Sequence, residues 1–251
     1  MSDYFNELEA FWDEFAEEYE IIQQESALPI AQELCDFLLT QKILPCQTFL
    51  DLAGGTGRYL PALQQYVKTY DLVDISKKML SLAATKADSH VRLIKQAQEI
   101  FLSQHIHRYD LVFSAMNPAL QTQADLLAFC QASRDWCLIF RLVKEEDQLF
   151  SPYEKINPDL LLNEHYKQLL ADLKIPYHTK RFCYSQQEMI HREFFQAYFS
   201  NEFSPAELAN MIKQNFGTAD QKLNQSFFDF ELIYFQVSNA YNKKEVKFPR
   251  S

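Results

Sequence analysis

The sequence predicts an α/β fold with a doubly wound, mostly parallel sheet of seven strands and a helical cap. The first observation is that strand-length apolar runs alternate with helix-length amphipathic segments over residues 47–143, which is typical of parallel strands joined by right-handed crossovers. The second is that these runs are apolar on both faces, as expected of strands that helices cover on both sides. The third is that three of the chain's four glycines, Gly54, Gly55 and Gly57, lie together directly after the first run. Because the chain contains so little glycine elsewhere, this cluster indicates a place that needs bare backbone.

The individual elements follow from the hydrophobic periodicity along the chain. Residues 4–25 and 29–39 have the spacing of two amphipathic helices that precede the sheet. Five strands are then expected, over residues 47–52, 69–74, 91–95, 109–114 and 136–143. The helices between them are expected over residues 58–66, 76–86 and 121–133, and Ser76 is a suitable N-cap for the second of these.

The pattern changes after residue 144. We expect three helices and two strands there, over residues 158–173, 186–199 and 205–216 and over residues 177–184 and 227–237. Because there is no internal repeat and no Gly/Ser-rich linker, we expect residues 1–251 to form one domain, with residues 1–40 and 145–216 as its helical cap. We interpret the basic residues 243–250 as a frayed terminus rather than a docking site.

Composition excludes several classes of partner. The 24 Lys and Arg residues against 34 Asp and Glu residues give a net charge of −10, which repels phosphate backbones, so we expect no nucleic-acid partner. No apolar run approaches the roughly 18 residues of a membrane span, and the acidic N-terminus does not resemble a signal peptide.

The five cysteines form no C-x-x-C pair, which favours free thiols in a cytoplasmic protein. The alternating His105 and His107 lack a third ligand, so we expect no metal site.

The glycine cluster belongs to the segment FLDLAGGTGR at residues 49–58, in which a strand ends in an acid and a helix follows the turn. Such a turn allows a ligand to approach backbone amides at the carboxyl edge of a sheet. The dinucleotide pattern fails because its third glycine would fall at Leu60, and the P-loop pattern fails because no lysine follows. Asp51 would repel a pyrophosphate but attract an ammonium group, and Asp74, at the end of the next strand, is placed to accept from two ribose hydroxyls. An ammonium and a ribose in one ligand indicate S-adenosylmethionine (SAM).

Four segments of the chain resemble the motifs of the class I SAM-dependent methyltransferases. Residues 51–57 are similar to that family's glycine motif, with Ala53 in place of the first glycine. The other three segments are YDLVDISKKML at residues 70–80, Gln96-Ala97-Gln98 where the family often has Asp-Ala, and YDLVFS at residues 109–114. FWDEFAEEY at residues 11–19 resembles the helix that often folds over the cofactor in this family.

The resemblance covers about residues 10–145 and implies SAM as cofactor, a Rossmann-like methyltransferase fold, and direct in-line methyl transfer to a small-molecule acceptor. It implies no metal and identifies no catalytic residue. The amide oxygen of Gln96 is expected to accept from the adenine amino group. The cofactor-binding residues that it implies are Tyr19, Asp51, Ala53, Gly54, Gly55, Thr56, Gly57, Asp74, Ile75, Met79, Gln96, Ala97 and Ser114.

Several alternatives remain open. A non-catalytic cofactor-binding module is one, favoured by Gln96 in place of an acid, and a protein methyltransferase is another. Asp74 could serve only as a helix cap. We interpret Asn117-Pro118 as a plain turn, since the second proline and the aromatic residue of an amino-group methyltransferase loop are missing. Aromatic residues within 145–216, such as Tyr184 and Phe195, are expected to contribute to the acceptor pocket.

Overall fold

A computed structural model of the chain describes residues 2–26 and 28–237. The basic residues 243–250 lie outside this part, so their predicted fraying is not addressed. The chain divides into two compact units. The first unit comprises residues 1–141, 162–180 and 231–251, and the second comprises residues 142–161 and 181–230.

The fold is the predicted α/β fold, with a sheet of seven strands in the order β3-β2-β1-β4-β5-β7-β6. The strands are β1 Cys46–Leu52, β2 Val67–Asp74, β3 Val91–Lys95, β4 Tyr109–Ala115, β5 Ser133–Asp147, β6 His178–His191 and β7 Gln221–Gln236. The pairs β1 with β2, β1 with β4, β2 with β3 and β4 with β5 are all parallel, and the sheet contains one antiparallel hairpin. The strand order reverses between β1 and β4, which is where a doubly wound sheet opens a crevice for a ligand.

Nine α-helices occur in the described residues. They are α1 Ser2–Glu25, α2 Ile30–Thr40, α3 Leu60–Leu63, α4 Lys77–Ala84, α5 Gln98–Ser103, α6 Gln123–Ala132, α7 Leu162–Asp172, α8 Arg192–Tyr198 and α9 Pro205–Phe216. Ser76 caps α4 as predicted, because its side chain accepts from the amide of Met79. Among residues 2–26 and 28–237, no helix is both long and apolar enough to cross a membrane.

Each unit has its own apolar core. In the first unit, strand residues such as Val112 and Ile139 pack with Phe129 of α6 and Tyr166 of α7. In the second unit, Phe195 and neighbouring aromatic residues pack with the aliphatic side chains of α9.

The predicted helical character of residues 145–216 is wrong in part. β5 continues to Asp147, and residues 186–191, predicted as the start of a helix, are the end of strand β6. Buried or half-buried Phe182, Tyr184 and Gln186 alternate with exposed residues, which is the period of a strand rather than of a helix. The assignment of residues 1–40 and 145–216 to a cap stays a prediction.

The predicted helix at residues 58–66 is also shorter than expected. It consists of α3 and a 3₁₀ turn at Gln64–Tyr66. Pro61 stands in the first turn of α3, where a missing backbone N–H is tolerated.

Candidate cofactor site

The glycine turn begins where β1 ends. Ala53, Gly55 and Gly57 have φ angles of 56°, 55° and 74°, in the left-handed region that favours glycine. The amide of Gly54 donates to the carbonyl of Val73 at 3.2 Å, which ties the turn to β2. The conformation of the turn is therefore stabilised by a hydrogen bond to the neighbouring strand β2.

The three glycines of the turn are needed for different reasons. A Cβ at Gly54 would lie 2.6 Å from Cγ of Leu72, and a Cβ at Gly57 would lie 2.6 Å from Cδ1 of Leu60, so packing excludes a side chain at both. A Cβ at Gly55 would meet Cε1 of Tyr19 at 3.8 Å, an ordinary contact distance. Among these three glycines, only Gly55 has space for a Cβ, and Gly55 lines a cavity.

Asp74 holds the turn from the end of β2. Its side chain is 9% exposed and accepts from the amide of Gly55 and from the amide of Ser76, both at 2.9 Å. Burial raises the pKa of Asp74, while the amides of Ser76 and Gly55 lower it in opposition. Its carboxylate has lone pairs beyond these two bonds, because a carboxylate offers about four acceptor positions.

Asp51 lies behind the turn rather than in the cavity wall. Its carboxyl is 1% exposed, and Oδ2 accepts from the hydroxyl of Tyr70 at 2.8 Å. Burial raises the pKa of Asp51 to about 7, the bond from Tyr70 lowers it, and the nearby charge of Asp74 raises it further. The carboxyl of Asp51 is therefore sequestered from solvent.

The third motif lies on the next loop of the same sheet edge. The amide of Gln96 donates to the carbonyl of Asp74 at 3.0 Å, and this bond holds the loop against the end of β2. Gln96 and Ala97 both line the cavity, and Ala97 is the N-cap residue of α5. The side chain of Gln98 donates to the carbonyl of Ala119 at 3.0 Å, which joins this loop to the loop after β4.

The loop after β4 is more than the plain turn that we expected. Asn117 is 3% exposed, and its Nδ2 donates to Oε1 of Gln98 at 2.8 Å and to Oγ of Ser114 at 3.0 Å. Its Oδ1 accepts from the amide of Ala119 at 2.9 Å, and its carbonyl accepts from Nη1 of Arg141 at 2.8 Å. Residues 115–119 all line the cavity. Sequence reasoning missed this segment, although its position directly after the fourth strand was a usable signal.

Helix α1 forms another side of the cavity, through Tyr4, Leu8, Trp12 and Tyr19. Charged and polar groups hold it in place. Glu9 pairs with Lys95 at 2.5 Å and Glu20 pairs with Lys86 at 2.7 Å. Oδ1 of Asp13 accepts from Oγ of Ser76 at 2.6 Å and from the amide of Lys78 at 3.0 Å. Trp12 is thus a cavity residue.

The cavity has a volume of about 470 Å³ and gathers most of the predicted site residues. Those that line it are Tyr19, Ala53, Gly55, Asp74, Ile75, Met79, Gln96 and Ala97. The predicted residues outside its wall are Asp51, Gly54, Thr56, Gly57 and Ser114. Ser114 donates to the carbonyl of Leu52 at 3.0 Å and so ties β4 to β1. Whether each of these residues contacts a cofactor stays a prediction.

The charge of the wall is negative. Asp74, Glu99 and Asp125 line the cavity, and none of the described residues in its wall is Lys, Arg or His. Within the described ranges, no group of three or more His, Cys, Asp or Glu residues is placed to hold a metal ion.

Residues 49–137 match the family described as a methyltransferase domain. Comparison with curated proteins gives no match. Similar solved structures include precorrin 8w decarboxylase of Methanobacterium thermoautotrophicum, which is 12% identical with a TM-score of 0.49 over 81% of this chain and 89% of that chain. Magnesium protoporphyrin IX methyltransferase of Synechocystis PCC 6803 with bound SAM is 15% identical with a TM-score of 0.42, over 84% of this chain and 78% of that chain.

Because both TM-scores lie below 0.5, the assignment rests on the matched segment and on the residues of the turn. That segment begins within β1, contains the glycine turn and Asp74, and ends in β5. Residues 49–137 therefore form a methyltransferase domain of the class I SAM-dependent type.

Proposed function

We propose that this enzyme transfers the methyl group of SAM to a small-molecule acceptor, and that the cavity of the first unit binds the cofactor. One observation carries the proposal. Gly55 of the glycine turn lines a cavity of about 470 Å³ and has free space in front of its Cα, and its amide is held by a hydrogen bond to Asp74. This volume falls within the range of about 300–1,000 Å³ that is typical of small-molecule sites.

The residues of the wall suit the parts of the cofactor. We assign the remaining lone pairs of Asp74 to the ribose hydroxyls. The side-chain oxygen of Gln96 and the amide of Ala97 supply the acceptor and donor that an adenine edge requires. The bare backbone at Gly55 allows the methionine part to approach closely, since a side chain there would occupy ligand space.

The sulfonium of SAM supplies its own leaving group, so the chain's task is alignment and exclusion of water. Leu8, Trp12 and Tyr19 of α1 provide an apolar side to the cavity. A wall that contains Asp74, Glu99 and Asp125 favours a neutral or cationic acceptor over an anionic one. The same acidic balance, with a net charge of −10, disfavours a nucleic-acid acceptor.

The cofactor site is tested by calorimetric titration with S-adenosylhomocysteine (SAH), using two matched glycine substitutions. Gly55 and Gly217 both have a positive φ, 55° and 58°, so an alanine is strained at either position. A Cβ at Gly217 meets nothing within 4 Å, and that residue lies in the second unit. We expect Gly55→Ala to weaken SAH binding at least tenfold and Gly217→Ala to leave it unchanged. Equal binding by both folded variants would contradict the proposed site.

The acceptor class is tested by transfer of a radiolabelled methyl group to a panel of small amines, alcohols and carboxylic acids, alongside a mixture of folded proteins. We expect label in neutral or cationic small molecules. Label only in protein would identify a protein methyltransferase. Normal SAM binding without turnover on any acceptor would favour the non-catalytic module.

A further inference from the structure

The carboxyl of Asp51 is unusual for its burial and its lack of partners. Oδ2 accepts one hydrogen bond, from Tyr70, and Oδ1 has no hydrogen-bond partner within residues 2–26 and 28–237. A fully buried carboxylate is normally stabilised by a cation or by several donors. One hydroxyl donor is a poor substitute, so this environment favours the neutral acid.

The groups that face Asp51 do not compensate for its burial. Tyr70 and Asp74 come from β2, and Asp74 adds a like charge that disfavours a second carboxylate. Tyr59, which precedes α3, is buried, and its phenol interacts electrostatically with Asp51. Phe113 of β4 is the paired residue on the other side and is apolar. Among these described neighbours there is no cation, and burial accordingly raises the pKa of Asp51 to about 7.

Asp51 is nevertheless within electrostatic reach of the cofactor cavity. A Cβ at Gly54 would lie 2.9 Å from Cγ of Asp51 and 3.0 Å from its Oδ2. The residues on either side of Gly54, Ala53 and Gly55, line the cavity. The carboxyl therefore packs against the part of the turn whose neighbouring residues line the cavity, and a low-dielectric surrounding screens charges weakly.

We propose that Asp51 is a positioning residue of the cofactor site that is mostly protonated in the free protein below neutral pH and loses its proton to solvent when a cationic cofactor occupies the cavity. The inference rests on the proposed cofactor. The Asp51 O–H bond breaks, the proton passes to buffer, and the carboxylate left behind attracts the ligand's positive charge through the turn.

The charge of the ligand gives the proposal a second consequence. SAM carries an ammonium, a sulfonium and a carboxylate, whereas SAH lacks the sulfonium charge. Asp51 is therefore ionised more completely with SAM than with SAH. Because acidic conditions keep Asp51 protonated, they weaken binding of the methyl donor more than binding of the demethylated product.

The test is calorimetric titration of SAM in phosphate and in Tris buffer, which differ in ionisation enthalpy, at pH 6.5 and pH 8.5. With a pKa of about 7, about three quarters of a proton is released at pH 6.5 and almost none at pH 8.5. The dissociation constant of SAM rises about threefold between pH 7.5 and pH 6.5. SAH releases a smaller fraction of a proton under the same conditions.

Two variants assign the proton. We expect Asp51→Asn to abolish the proton release. Asp135→Asn is the control, because burial raises the pKa of Asp135 too, but this residue lies near the start of β5, at the opposite end of the strands. We expect Asp135→Asn to leave the release unchanged. Release that persists in Asp51→Asn would overturn the proposal.

Tyr70→Phe removes only a hydroxyl, so it preserves the packing of the ring and leaves Asp51 in place. It deletes the one donor that favours the carboxylate, so the pKa of Asp51 and the midpoint of proton release move to higher pH. Carboxyl ¹³C NMR of the free protein measures the same titration without turnover, and titration of Asp51 near pH 4 would overturn the proposal. SAM binding without proton release would overturn this inference alone, whereas no SAM binding at any pH would overturn the proposed function with it.

Discussion

Single residues of the glycine turn differ in what they contribute. Ala53 stands where the family motif has a glycine, and it adopts a φ of 56°. A non-glycine residue in this region is strained by about 1–2 kcal/mol, part of which alanine recovers through lower entropy of the unfolded chain. The substitution at this position is therefore tolerated at a modest cost in stability.

We expect Ala53→Gly to raise the free energy of unfolding by up to about 1 kcal/mol, because it relieves this strain. Urea unfolding followed by tryptophan fluorescence measures it, since Trp12 and Trp136 both lie in the first unit. A loss of stability larger than 1 kcal/mol would contradict the assignment of strain to this residue.

Asp74 is the other residue with a separable role. We expect Asp74→Ala to weaken SAM binding by about 1.5–3 kcal/mol, because hydrogen bonds to a charged group are lost. Asp74→Asn should fall between, since its side-chain oxygen still accepts from the amide of Gly55 or Ser76. Calorimetry measures both, and wild-type affinity in the two variants would leave Asp74 as a helix cap only.

Among the elements, helix α1 is fastened to the rest of the first unit in part by polar contacts. Lys86 is central, because its Nζ pairs with Glu20 at 2.7 Å and donates to the carbonyl of Thr56 at 3.0 Å. It thereby links α1 to the glycine turn. A helix held in this way is sensitive to salt, since partly exposed ion pairs are screened.

We expect Lys86→Met to weaken SAM binding two- to tenfold and to increase amide hydrogen exchange in α1, because the cavity loses the support of that helix. The matched control is Lys144→Met, which removes an exposed ion pair with Glu146 in the second unit and should change neither measurement. Unchanged exchange in α1 would show that Lys86 does not hold the helix.

At the level of the whole molecule, our prediction for the second unit concerns acceptor binding. Phe195, which we predicted to line an acceptor pocket, is 0% exposed and belongs to the core of that unit, so its removal would cost about 3–5 kcal/mol of stability. Phe194 is 57% exposed and is the better probe.

We expect Phe194→Ala to lower turnover while SAM affinity and the melting temperature stay within error, if residues 145–216 take part in acceptor binding. Steady-state methyl transfer and calorimetry on the same sample separate the two effects. Wild-type turnover would indicate that this face of α8 has no part in catalysis.

The sequence by itself determined the turn, the N-cap at Ser76 and most of the strands. These features depend on short-range patterns, because an acid, glycines and apolar residues at fixed spacing can adopt few conformations. It also placed Asp74 and Gln96 at one edge, since parallel neighbours end together. Tertiary structure decided which side chains reach the cavity. Asp51 ended a strand as predicted but lies behind the turn, and Asn117 lies in the wall because its bonds to Gln98 and Ser114 fold the loop after β4 inward. The bond from Asn117 to Gln98 and the bond from Tyr70 to Asp51 each join residues 19 positions apart, so no local pattern could contain them.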